Sequence, residues 1–196
     1  MPHEQDSAVG DSMSDLVVRA CTDRDAFGRL YDAYYPRIFR YCMRRLFVRT
    51  LVEDVTADVF LSVASKMRAF GGTTEEDFRR WLYRIASNAI NAHIRQTKRR
   101  KVLLETAAQS NRLYAADSPR RTRPGADSLD WPALYQAILG LSLREQTIIV
   151  LRFFEQLSHE QIAGVLQERS VTVRVALSRA LEKLRQKFKV DNVNHV

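Results

Sequence analysis

The chain is poor in turn-forming residues. Its 196 residues include seven Gly and five Pro, about half the roughly 12% of average usage. A many-stranded sandwich or barrel needs a turn every few residues, so that class is excluded and long helices are favoured. Cysteine is almost absent: Cys21 and Cys42 are too few for a disulfide framework and lack the spacing of a metal-binding pair. No apolar run approaches the ~18 residues of a membrane span, so no membrane insertion is expected. The opening stretch MPHEQDSAVGDSMSD is acidic and has no apolar core, unlike an export signal, so a cytoplasmic chain is expected. Catalytic signatures are missing too. The four His, at 3, 93, 159 and 195, are scattered. No Gly-rich phosphate loop follows a strand pattern, and there is no nucleophile elbow. Glu53, Asp54 and Asp58 cluster without a neighbouring His and read as a solvated or partner-facing helix side. The expectation is a protein that is not an enzyme, with no catalytic residue, no metal and no cofactor.

What the chain does have is concentrated positive charge. Its net charge is +8. Residues 84–101 hold six Lys/Arg and no acid, and residues 169–189 hold seven and one acid. These two stretches carry +6 each, and the rest of the chain is net −4. Two focused basic stretches point to two contacts with a polyanion rather than to general solubility.

Apolar periodicity predicts helices throughout. Expected helices cover Ser14–Thr22, about Asp23 to Leu46 with Asp23 as N-cap, about Val52 to Phe70, and from Glu75 to the Lys98–Lys101 cluster. Pro36 should kink or divide the second of these, and Gly71-Gly72 breaks the chain before the fourth. Residues 105–130 are rich in small polar residues and contain two Pro and a Gly, the composition of a linker. Beyond it, Trp131–Leu139 is amphipathic and Gly140 marks a break. Ser142-Leu-Arg-Glu145 and Ser158-His-Glu-Gln161 have the form of capping boxes. A last helix is expected from about Ser170 to Lys189. The fold class is all-α: a disordered tail (1–12), a helical domain (13–103), a linker (104–130), a second helical domain (131–190) and a short tail (191–196).

Within the second domain, a short helix at about 159–167, a tight break and a longer basic helix match a helix-turn-helix. Thr172, Arg174, Ser178 and Arg179 form a polar face that suits the major groove, where side chains reach base edges and cations reach phosphates. The plainer alternative is a helical hairpin with a solvated basic face. In the first domain, aromatics and amides lie on a helix that turns basic toward its end, a combination that suits unpaired bases. Phe78, Trp81 and Leu82, at i, i+3, i+4, read better as core. Phe70, Asn88 and Arg95 lie off or at the edge of that stripe.

Four stretches, DAFGRLYDAYYPRIFRYCMRRL (25–46), VEDVTADVFLSVASKMRAF (52–70), FRRWLYRIASNAINAHIRQTKRR (78–100) and LSLREQTIIVLRFFEQLSHEQIAGVLQERSVTVRVALSRALEKLR (141–185), are similar in order and spacing to the extracytoplasmic-function group of bacterial RNA polymerase sigma factors. The pattern F-x-x-W-L-Y-R-I-A-x-N, paired with L-S-x-E-x-I-A-x-x-L and T-V-x-x-x-L-x-R-A, carries the resemblance. It implies a factor that binds core RNA polymerase and directs promoter-specific initiation. The first domain would be region 2, docking on the clamp helices of the largest subunits through Arg40, Arg44, Asp54, Asp58, Phe60 and Leu61. It would melt the −10 element and hold an unpaired base through Phe70, Thr73, Arg84, Asn88, Asn91, Arg95, Lys98 and Arg99. Trp81 would support that loop. The second domain would be region 4, contacting the polymerase flap and reading the −35 duplex through Ser170, Thr172, Arg174, Val175, Ser178 and Arg179. The linker would thread toward the active-site cleft. An anti-sigma factor is implied as a further partner, beside core polymerase and promoter DNA.

The chain departs from the family pattern in places. Gln167 and Val171 stand where the family usually has Gly, and Arg169 stands in place of the usual Ser N-cap, so capping is expected to shift to Ser170. Val175 and Ala176 replace residues that are often polar or basic, and Val175 offers an apolar contact, for example to a thymine methyl. A competing reading is a stand-alone helix-turn-helix regulator that dimerises through its N-terminal helices; a helical nucleic-acid enzyme is a distant third.

Overall fold

A computed structural model describes residues 12–110 and 131–193 of the protein. Among these residues there are eight α-helices and no strand: α1 (Met13–Arg19), α2 (Arg24–Leu46), α3 (Arg49–Lys66), α4 (Glu75–Ser110), α5 (Trp131–Leu139), α6 (Leu143–Phe153), α7 (His159–Leu166) and α8 (Ser170–Val193). A single 3₁₀ turn, Met67–Ala69, follows α3. The chain forms two compact units, Met1–Ala89 and Ile90–Val196, the division falling within α4. Residues 1–11 of the expected N-terminal tail, 111–130 of the expected linker and the last three residues lie outside the described residues; Ser12, expected in the tail, belongs to the start of α1.

Local chemistry explains most helix starts. Ser12 and Asp15 form a capping box at α1. The Asp23 carboxylate accepts from the amides of Asp25 and Ala26 at 2.9 and 3.3 Å, satisfying two orphan donors of α2. Thr74 Oγ1 accepts from Asp77 N–H at 3.1 Å at the start of α4. Ser142–Glu145 and Ser158–Gln161 are reciprocal capping boxes, as their spacing predicts.

The structure narrows one sequence expectation, that Pro36 kinks or divides its helix, and corrects another. Pro36 does not divide α2, which runs unbroken from Arg24 to Leu46. Pro36 and Asp32, whose carbonyl loses its partner, both lie on the exposed side, where water satisfies that carbonyl. Helix α4 does not stop at the Lys98–Lys101 cluster but continues to Ser110. No Gly or Pro occurs between Gly72 and Pro119, and Val102-Leu-Leu-Glu-Thr-Ala-Ala includes good helix formers.

In the first unit α1 and α3 pack against α2. Ile38, Tyr41 and Cys42 of α2 and Val52, Val59 and Val63 of α3 are wholly buried. Tyr34 and Tyr41 of α2 meet Phe78 and Tyr83 of α4 edge to face, at 5.2 and 5.3 Å between ring centres. Their hydroxyls are also used: Tyr34 donates to Glu75 at 2.9 Å, and Tyr41 shares a 2.7 Å bond with Ser87. Burial pushes the Cys42 thiol up to about 11, which keeps it a packing group rather than a nucleophile.

The second unit is a helix-turn-helix braced by α6. Ile148, Leu151, Ile162, Val173 and Ala180 form its centre, all wholly buried. Between α7 and α8, Gln167 takes a left-handed conformation (φ 57°) and its N–H bonds to the Ala163 carbonyl. A side chain there costs about 1–2 kcal/mol relative to glycine, so the sharp turn is made despite its residue. Ser170 does not cap α8. The Val173 N–H bonds to the Arg169 carbonyl at 3.2 Å, which makes Arg169 the N-cap and Ser170 the first helical residue.

Candidate nucleic-acid interfaces

The first interface is a loop followed by a helix face. Gly72 is needed where it stands, because a Cβ there would collide with the Phe70 ring and with Asp77 Cβ, 2.6 Å away. Asp77 cannot retreat, since it closes the Thr74 cap and pairs with Arg80. The Phe70 ring therefore lies close to the backbone, tilted against Trp81 at 4.8 Å and edge-on to Phe78 at 6.0 Å. Of the three aromatic and aliphatic residues read as core, Phe78 and Leu82 are wholly buried, but Trp81 is half-buried. Phe70 and Trp81 thus form a partly exposed aromatic pair at the mouth of the loop. Thr73 is exposed beside them.

Along α4 the remaining predicted residues fall on one side. At about 100° per residue, Arg84, Asn88, Asn91, Arg95, Lys98 and Arg99 span about 100° of the helix circumference. Asn88, Arg95, Lys98 and Arg99 are exposed, while Arg84 and Asn91 are half-buried. Leu82 and Ala86, wholly buried, lie on the opposite side. Amides and cations therefore share one face, with an aromatic pair near its N-terminal end. That arrangement can stack an unpaired base, bond its edge and hold a phosphate backbone.

The second interface is α8. Thr172, Arg174, Val175, Ser178 and Arg179 are exposed and Ser170 is half-buried. Ala176 is 6% exposed and packs mainly into the core. Leu181, expected inward, is half-buried, and the Phe188 side chain lies outside the description. A concavity of about 420 Å³ lies between α8 and the start of α6, lined by Thr172, Val175 and Arg179 on one side and Ser142 and Arg144 on the other.

Two ion pairs hold α8 and its turn against α6, and sequence reading missed both. Arg144 makes a two-pronged pair with Glu168, the Nε–Oε1 arm 2.8 Å long. Lys183 Nζ donates to Glu145 Oε1 at 2.6 Å. Burial would push the Glu145 carboxyl up, but hydrogen bonds from Lys183 and Ser142 outweigh it and hold the group below the usual carboxylate range. Arg144 does the same for Glu168. No sequence signal marks these pairs, because their members are 24 and 38 residues apart.

Of the residues expected to meet the polymerase, Asp54, Asp58 and Leu61 lie one turn apart on the outer face of α3. Leu61 is 68% exposed. Arg40 is exposed and Arg44 half-buried on α2. Phe60 is a correction: it is 6% exposed, with its ring against Tyr31 at 4.7 Å and Tyr35 at 5.8 Å. It supports the α2–α3 packing from beneath and is not available for contact. Among the described residues no group of three His, Cys, Asp or Glu could hold a metal ion, and no helix is long and apolar enough to cross a membrane.

Comparison with known proteins agrees with this geometry. Residues 30–100 match the family model "Sigma-70 region 2", and residues 132–184 match "Sigma-70, region 4". The ECF RNA polymerase sigma factor BldN of Streptomyces coelicolor is 31% identical over 189 residues, covering 93% of this chain and 69% of BldN. The ECF RNA polymerase sigma factor SigW of Bacillus subtilis is 29% identical, covering 85% of this chain and 91% of SigW. Among solved structures, the sigma factor RpoE from Bartonella quintana, in complex with the anti-sigma factor NepR, superposes with a TM-score of 0.61 at 21% identity, over 84% of this chain and 98% of that one. CnrH, in complex with the cytosolic domain of CnrY, gives 0.65 at 22%, over 92% and 99%. The two structures establish likeness of fold; the family models and the BldN relationship establish the family. The chain belongs to the ECF sigma factors, which bind RNA polymerase and direct promoter-specific initiation of transcription.

Proposed function

We propose a division of labour between the two interfaces. The Phe70–Thr74 loop and the amide–cation face of α4 open the −10 element and hold the unpaired strand. The exposed face of α8 reads the −35 element as duplex. The observation that carries this reading is the different chemistry beside each basic stretch. An aromatic pair and Asn88 accompany the first, and a helix-turn-helix surface accompanies the second. Melting costs unstacking energy, and each base captured by an aromatic returns about 1–3 kcal/mol. A groove-bound helix does neither, so one interface could not serve both tasks.

Asp54, Asp58 and Leu61 on α3, with Arg40 and Arg44 on α2, form the docking face for the core enzyme in this reading. The factor has no catalysis of its own and acts in the cytoplasm with the polymerase. The RpoE structure contains an anti-sigma factor, and a protein of that kind is the expected inhibitor here. The test is run-off transcription with purified chain and core polymerase on templates carrying promoter elements. Initiation at a defined start that depends on both elements is expected. Unchanged start-site choice on adding the chain would overturn the reading.

A further inference from the structure

The exposed face of α8 is not uniformly polar. At about 100° per residue, Ser178, Val171 and Val175 fall within about 60° of one another at its centre. Arg174 flanks them on one side, and Arg179 and Thr172 on the other. Val171 is 56% exposed and Val175 43%. Both line the concavity beside α6 together with Thr172 and Arg179. A single exposed valine needs no explanation. Two β-branched residues one turn apart, at the centre of a cationic face, do. The surrounding stretch, residues 169–189, has seven Lys/Arg and one acid, Glu182, and Glu182 lies 3.8 Å from Arg185. A polyanion that also presents apolar groups to the centre suits this face.

Duplex DNA meets both requirements. A helix in the major groove has a phosphate wall on each side, where Arg174 and Arg179 point, and base edges on the floor. The apolar group on that floor is the C5-methyl of thymine. Cβ atoms one helical turn apart are about 5–6 Å apart, while base pairs rise 3.4 Å per step. The two valines thus match methyls one to two steps apart. We propose that Val171 and Val175 read thymine methyl groups in the −35 duplex, so that part of this factor's promoter choice is a choice for methyls rather than for hydrogen-bonding edges. The inference rests on the assignment of α8 to the −35 element.

The experiment uses the full chain assembled with core polymerase. Promoters are first selected from duplexes randomised in the upstream element. Each thymine of the selected element is then replaced singly by deoxyuridine, which removes only the methyl. With the wild-type chain, affinity should fall about fourfold at one or two adjacent steps, the value of one buried carbon. With Val171→Ala or Val175→Ala the same replacement should have no effect at the step each valine contacts. Both sites are exposed, so alanine leaves the core untouched, and circular dichroism checks this. Arg174→Ala should weaken thymine and uracil promoters equally. A selected element without thymine, or one that tolerates uracil everywhere while still being required, would overturn the methyl reading and leave the −35 assignment standing. If scrambling the whole upstream element has no effect, the −35 assignment itself fails. Valine variants that bind every duplex normally but lose a peptide partner would reassign this face to protein.

Discussion

The two basic helices carry equal charge, +6 in each stretch, yet they are built differently. On α4, amides and cations share one broad face, and the aromatic pair Phe70–Trp81 sits at its start. On α8, cations flank two exposed valines, and the ion pairs Arg144–Glu168 and Glu145–Lys183 clamp the helix and its turn to α6. Holding an unpaired strand asks for stacking surfaces and adaptable amides. Reading a duplex asks for a rigid helix of fixed width. Equal charge therefore does not distinguish the two helices, and their neighbours do: in the proposed reading these decide which form of nucleic acid each would meet.

The largest way to break this comparison is to collapse one side of it. Ile148 is wholly buried in the second unit. Ile148→Ala should cost about 2–5 kcal/mol, read as a fall in the denaturant midpoint. Use of the upstream element should fail while the first unit still binds core polymerase. A smaller but cleaner contrast comes from crossing two substitutions. Gly72→Ala should displace the Phe70 ring and reduce strand opening, followed by permanganate reactivity of unpaired thymines, by roughly tenfold, a share of the stacking value of one base. Upstream duplex binding should be unchanged. Arg174→Ala should do the reverse: binding to the upstream duplex weakens by about 1–3 kcal/mol, with the salt slope reduced by about one, while core-enzyme affinity is constant. Equal effects of both variants on both readouts would erase the division of labour.

Acid should separate the two units next. Glu145 and Glu168 have carboxyls held below their ordinary value of 4.5 by Lys183, Ser142 and Arg144. A group depressed in the folded state stabilises above its unfolded pKa, and that contribution disappears as pH falls through the folded value. The second unit should thus lose stability progressively below about pH 4.5, and Glu145→Gln should flatten that part of the profile. In the first unit, Asp23 and Asp77 are also held low, by Arg19 and by Thr74 with Arg80. They lie at the surface, where such pairs are worth little, so its acid dependence should be shallower. The smallest expected effect is Gln167→Gly. Releasing the left-handed strain, less the entropy glycine loses on folding, should stabilise the second unit by up to about 1 kcal/mol, seen as a small rise in its melting temperature.

Much of this was legible in the residues. Helix existence, the three capping boxes or caps at Asp23, Ser142 and Ser158, the helix-turn-helix and the two charged stretches are all read correctly, because each depends on neighbours three or four positions away. The misreadings share a cause. Pro36 is expected to kink or divide its helix, and which of the two follows depends on whether its face meets water. Phe60 and Leu61 are adjacent and both apolar, and only the position of Tyr31 and Tyr35 decides that one is buried and the other 68% exposed. Trp81 follows a core spacing, yet it ends half-exposed under Phe70.

The sequence by itself determined an all-helical chain with two separate basic stretches, since periodicity, capping and charge are local and additive along the chain. Only the tertiary structure decided what stands beside each face. Phe70 on Trp81, Arg144 on Glu168 and Lys183 on Glu145 are pairings of distant residues. Their energies arise from contacts that exist only once the helices have packed, and no spacing in the chain encodes them.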